Sequence, residues 1–111
     1  MKLGFISAIL DNSSFEEVID TAASIGYECV EVACWPVEKA SRRYAGVTHI
    51  NIEELTEEKI SYINDYCKKK KVSISALAYY PNVLTEDHKA QERIRKHLIA
   101  MIEAAPKLQV D

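Results

Sequence analysis

The chain is sparing with the residues that mark specialised architectures. Three glycines in 111 residues leave little for a phosphate cradle, and neither G-x-G-x-x-G nor the P-loop pattern is present, which argues against a nucleotide-binding domain. The G-x-S-x-G nucleophile elbow and the H-E-x-x-H helix are missing as well. Cysteine is scarce. Cys29, Cys34 and Cys67 are odd in number and contain no C-x-x-C pair, so neither a disulfide framework nor a Cys/His zinc site is expected. Buried thiols in a reducing compartment are. Basic residues are in deficit: 14 Lys and Arg against 17 Asp and Glu give a net charge of −3 and an isoelectric point near 5.6. A phosphate-backbone binder usually carries the opposite balance, so no nucleic-acid partner is expected. No apolar run approaches the ~20 residues that cross a bilayer, and the opening "MKLGFISAIL" lacks the cleavage site of a secretory signal. A cytoplasmic protein with no membrane partner is the expectation.

What is present is ordinary folding material, 48% hydrophobic and 28% charged, enough for one small domain or a piece of a larger one. Residues 2–8 read as a short buried strand. In "DNSSFEE", Ser13 or Ser14 caps a helix, with Glu16 or Glu17 three residues on. Phe15, Val18, Ile19, Ala22 and Ala23 form its apolar stripe, and Gly26 ends it. A second strand covers 28–33, β-branched at Val30 and Val32. A long connection without clear period follows, a length that tends to be functional. Thr56 opens a second helix with Ile60, Ile63 and Cys67 on one face and Tyr66 beside them. Its last turn, "KKKK" (68–71), suits the helix dipole and solvation better than nucleic acid. The third strand covers 72–78. A third helix starts near Thr85 with Ile94, Leu98, Met101, Ile102 and Ala105 on one face; it includes His88 and His97, read as surface or packing residues. Pro106 closes it, and "KLQVD" resembles the approach to another strand.

The order β-α-β-α-β-α implies an α/β fold with parallel strands in the order 1-2-3. In such sheets ligands sit beyond the carboxyl ends of the strands. Trp35, Arg42, Arg43, Tyr44, His49, Tyr79, Tyr80 and Asn82 collect on that rim. Aromatic faces with amide and hydroxyl groups suit a hydroxylated ligand. Each has a plainer role. Trp35 could lid the core, exposed loop arginines are common, and His49 has no partner carboxylate nearby in sequence. Tyr79 and Tyr80 are adjacent, so an extended chain sends them to opposite faces and at most one meets a ligand. Glu31, between two valines that face the helices, points to the other side. A carboxylate there needs a hydrogen-bond network or a cation, and structural and pocket roles both remain open.

At "GYECVEVACWP", "RRYAGVTHINI" and "ISALAYYPNVL" the chain resembles the sugar phosphate isomerase/epimerase family, xylose isomerase-like TIM barrels whose wider group includes the endonuclease IV type of abasic-site nuclease. The resemblance runs over residues 1–111 and covers the first three of eight βα units, an incomplete (βα)8 barrel. It implies a small sugar or sugar phosphate as substrate. It also implies a divalent ion (Mn, Mg, Zn or Co) that acidifies a C–H between two oxygens while carboxylates move the proton through an enediolate. The family's metal ligands come mostly from later strands. The resemblance therefore assigns no catalytic or metal residue here, only substrate-facing walls at Glu31, Trp35, His49, Tyr79, Tyr80 and Asn82. Two consequences are expected. The chain alone binds no metal and is a poor enzyme, and its unpaired sheet edges and bare barrel-side face favour self-association. A non-catalytic fragment or assembly module is the alternative reading. An abasic-site nuclease is a lesser one, which the acidic balance opposes.

Overall fold

Strand β2 (Cys29–Ala33) is the middle of the sheet, with β1 (Gly4–Ile6) on one side and β3 (Ser73–Ala78) on the other, both parallel to it. This computed structural model describes residues 1–38 and 45–111. The helices α1 (Phe15–Ile25), α2 (Glu57–Lys70) and α3 (His88–Ala104) alternate with the strands, and 3-10 turns lie at Ser7–Leu10, Ile52–Glu54 and Pro106–Leu108. The expected α/β order with strands 1-2-3 is what forms.

The termini of the helices follow their capping chemistry. Ser14 accepts from the Glu17 amide at 3.1 Å and Thr56 from the Lys59 amide at 3.3 Å, each satisfying one of the amides that a first turn leaves free. Gly26 takes φ 95° and closes α1 onto the Ala22 and Ala23 carbonyls. Lys71 adopts the same left-handed conformation after α2, at φ 58°, so the last lysine of the run is a cap and not a face.

Alternation along β2 decides what packs where. Val30, Val32 and Cys34 are sealed from solvent, and with Ile74 they meet Phe15, Val18, Ile19 and Ala22 of α1, Ile63 of α2, and Met101 and Ala104 of α3 in one core. All three helices thus share one side of the sheet. Pairing places Gly4, Ile6, Cys29, Glu31, Ala33, Ala76 and Ala78 on the other side. That face was expected to be bare apolar surface. Among the described residues no helix covers it; Cys29, Ala33 and Ala78 are buried on it, while Ile6, Glu31 and Ala76 are partly exposed. Gly4 is required there: a Cβ would stand 2.1 Å from the Cys29 carbonyl oxygen. A bulge between Val30 and Glu31 keeps the two faces in step, since Val30 pairs Ile74 and Glu31 pairs Ala76, leaving exposed Ser75 as the extra residue.

Three expectations need correction. The first strand does not run over 2–8; it stops at Ile6 because Ser7 turns into a 3-10 segment and uses its side chain, not its backbone, to bond β2. The third helix begins at His88, not near Thr85. Asp87 is its cap, accepting from the Lys89 and Ala90 amides at 3.0 and 3.2 Å, while Thr85 Oγ1 accepts from the Asp87 amide. Ile102 does not face the core: it is 72% exposed. The buried stripe is His97, Met101 and Ala104, and Ile102, one step of about 100° beyond Met101, turns away from it. Among the described residues no helix is long and apolar enough to cross a membrane.

Candidate functional site

The carboxyl ends of the strands converge on Ala33. Past Ile6 the β1 backbone has left the sheet, and the Ser7 hydroxyl takes its place by accepting from the Ala33 amide at 2.8 Å. On the same side of β2, the His49 amide donates to the Ala33 carbonyl at 2.9 Å, and Trp35 N–H reaches the Val47 carbonyl. The segment 47–49 therefore runs antiparallel beside the exit of β2, bridged Cys34 to Thr48. The Thr48 hydroxyl adds a short bond to the Trp35 carbonyl. On the far side Cys34 N–H pairs with the Ala78 carbonyl at 2.9 Å.

His49 is fixed at both ring nitrogens. Nε2 lies 3.0 Å from the Leu10 carbonyl, which can only accept, so that nitrogen carries the proton. Nδ1 is then the acceptor for the Ser7 hydroxyl at 2.7 Å. Burial pushes the imidazole below its ordinary value; the Leu10 and Ser13 backbone groups and the Asp11 carboxylate pull the other way. With both nitrogens engaged, this histidine positions the loop and has no free nitrogen for a substrate oxygen. It also edges a groove of about 330 Å³ with Phe15, Glu16, Lys59 and Tyr62.

The six proposed wall residues divide between two faces. On the open face, the Tyr80 hydroxyl donates to Glu31 Oε1. That bond is what raises Tyr80 above the usual phenol value, with some help from desolvation. Tyr80 is 60% exposed, so the pair stands in solvent over the small residues Ala76 and Ala78. Asn82 follows on an exposed turn, where Oδ1 accepts from the Leu84 amide at 3.1 Å and its NH2 points away from that bond. Tyr79 faces the helices instead. Its ring meets Trp35 edge-on at 4.9 Å and His97 at 4.7 Å, and burial raises its phenol. Adjacent tyrosines thus serve opposite sides of the sheet, as alternation requires. Arg42, Arg43 and Tyr44 lie outside the described residues.

Sequence reasoning placed His97 among surface or packing histidines, and it belongs to the second kind. It is 5% exposed, donates from Nε2 to the Cys34 carbonyl at 2.6 Å, and leaves Nδ1 without a partner among the described residues. With Trp35, Tyr79, Arg93 and Lys96 it lines a cleft of about 560 Å³ between the strand exits and α3. Ser7 escaped notice altogether. Nothing local marks it, because its partners lie 26 and 42 residues away. Cys34 is a buried structural thiol, pushed up to about 12 by desolvation. Among the described residues no three His, Cys, Asp or Glu side chains converge as a metal site, and Glu31 Oε1 accepts from the Tyr80 hydroxyl. A scan against models of known protein families finds no match, and a search of curated proteins finds no matching sequence.

Proposed function

We propose that this chain supplies a sugar-facing wall of a xylose isomerase-like barrel, holding and orienting a sugar or sugar phosphate while the metal and proton-transfer groups belong to other strands. The reading rests on the pair Glu31–Tyr80, a mid-strand carboxylate of β2 and a phenol just past the end of β3, joined by a hydrogen bond on the face that no helix covers among the described residues. Each keeps capacity for a hydroxylated ligand. Glu31 Oε2 accepts from a sugar O–H, the Tyr80 oxygen retains an acceptor position, and the Tyr80 ring offers a face to sugar C–H groups. Small residues below leave room for the ring. The divalent ion of the full barrel would polarise adjacent oxygens; the part assigned to these residues is orientation and hydroxyl recognition.

Saturation-transfer NMR with pentoses, hexoses and their phosphates tests this. Transfer to sugar C–H protons is expected with the wild type and is expected to drop in Tyr80→Ala and in Glu31→Leu. Equal transfer in the variants, or none with any sugar, overturns the reading.

A second reading, an assembly module, has its own support. Exposed apolar side chains flank both outer strands: Leu3, Ile9 and Ile25 beside β1 and α1, and Leu84, Ile99 and Ile102 beside β3 and α3. Sedimentation at two concentrations separates the readings, since a monomer that binds sugar supports the first and a concentration-dependent oligomer the second.

A further inference from the structure

We propose that Ser7 and His49 form a proton-operated latch at the exit of β2: neutral imidazole holds the 47–49 segment, and the backbone of Trp35 with it, against the sheet, and protonated imidazole releases them. The latch is defined by donors and acceptors that fit in only one protonation state. Ser7 is fully buried. Its oxygen already accepts from the Ala33 amide, and its proton goes to His49 Nδ1. Adding a proton to Nδ1 turns the acceptor into a donor. The Ser7 hydroxyl then loses the acceptor of its hydrogen at a site closed to water, a situation that buried hydroxyls avoid. The conflict cannot be relieved at the other nitrogen, because Nε2–H is held by the Leu10 carbonyl. The imidazole leaves, and the backbone tied to it goes too: His49 N–H from Ala33, and Val47 and Thr48 from Trp35.

The charged and titratable neighbours do not supply a replacement. Asp11, at the end of the 3-10 turn after β1, favours the charged imidazole only through space, and weakly against burial. Glu16 of α1 is bonded by Tyr62 of α2, and Lys59 of α2, in the same groove, is paired with Glu54 at 3.8 Å. The sign follows. The latched state prefers neutral His49, so latching is at full strength above the ordinary imidazole value of 6.5. It weakens as pH falls below that value, until the latched imidazole itself takes a proton.

Amide exchange on the wild-type chain tests this without any substitution. Protection factors of the Ala33 and His49 amides, corrected for intrinsic exchange, should fall by up to about tenfold for each pH unit below about 6.5. The Cys34 amide, bonded to Ala78 on the other side of β2, should keep its protection. The sole tryptophan, Trp35, should shift its emission over the same range. In His49→Gln the pH dependence of both signals should vanish, although His88 and His97 are still present. Constant protection of Ala33 and His49 from about pH 7 to pH 5 overturns the latch. A parallel loss at Cys34, or an undiminished pH dependence in His49→Gln, does so too. If that variant does not fold, the comparison of Ala33 with Cys34 in the wild type decides alone.

Discussion

Removing one oxygen atom from Ser7 should be felt across the whole domain. In Ser7→Ala the Ala33 amide, wholly buried at the end of the central strand, loses its acceptor. Both residues are sealed from solvent, so bulk water does not replace the hydroxyl. An unpaired buried donor costs about 1–3 kcal/mol. His49 Nδ1 loses its donor as well, but this ring is only half-buried and water can partly replace the hydroxyl, adding up to about 1 kcal/mol. The sum is about 1–4 kcal/mol, a large part of the 5–15 kcal/mol that holds a typical domain together. With a urea slope of about 2 kcal/mol per M, the unfolding midpoint should move down by about 0.5–2 M, with the slope unchanged. Equilibrium unfolding followed by circular dichroism measures this directly. A shift worth less than about 0.5 kcal/mol, the scale of an inconsequential surface change, would mean that Ala33 finds another acceptor and that the Ser7 bond to β2 is not what ends β1.

Gly4→Ala should be at least as damaging, because the new methyl group meets the Cys29 carbonyl at 2.1 Å and both backbones must move; a midpoint equal to wild type would refute that close approach. On α3, Met101→Ala should cost about 2–4 kcal/mol whereas Ile102→Ser should stay within about 0.5 kcal/mol, and the reverse order would restore the stripe expected from sequence. The hydrogen bond to Asp20 pushes the Tyr66 phenol up to about 12, and the same bond, with the Lys70 partner, lowers Asp20. Asp20→Asn should therefore move one tyrosine in an absorbance titration down toward 10, and no change would remove that pairing. Since Asp20 is lowered in the folded state, what it contributes to stability is present above its unfolded value of 3.8 and lost as pH falls through the folded one. Cys34, pushed up to about 12 by burial, should resist a thiol reagent at neutral pH until the protein unfolds.

Local chemistry was readable and long-range pairing was not. The Ser14 and Thr56 caps, the turn at Gly26 and the Val30–Val32 alternation each depend on neighbours within a few residues, and each appears where the pattern puts it. The opposed directions of Tyr79 and Tyr80 followed from strand geometry alone. The short first strand depended on Ser7 meeting a residue 26 positions away, for which the sequence carries no periodic signal. The orientation of α3 depended on a polar residue. His97 occupies the core stripe because the Cys34 carbonyl accepts its proton, and a hydrophobic pattern passes over such a residue and selects Ile102 in its place. The candidate site divided for a similar reason. Tyr79 and Tyr80 adjoin in sequence, yet the pleat assigns Tyr79, with Trp35, to the helix side and Tyr80 to the side of Glu31.

The proposed sugar-facing wall is tested most directly by residue-resolved amide shifts during titration with a hexose phosphate. Shifts centred on Glu31, Ala78, Tyr80 and Asn82 are expected, and they should be smaller in Tyr80→Ala. The opposite end of the sheet offers the phosphate an alternative, a groove of about 500 Å³ edged by Lys2, Lys68 and Lys71. Shifts confined to those lysines and Ser73, with Glu31 and Tyr80 unmoved, would contradict a ligand wall at the carboxyl ends of the strands.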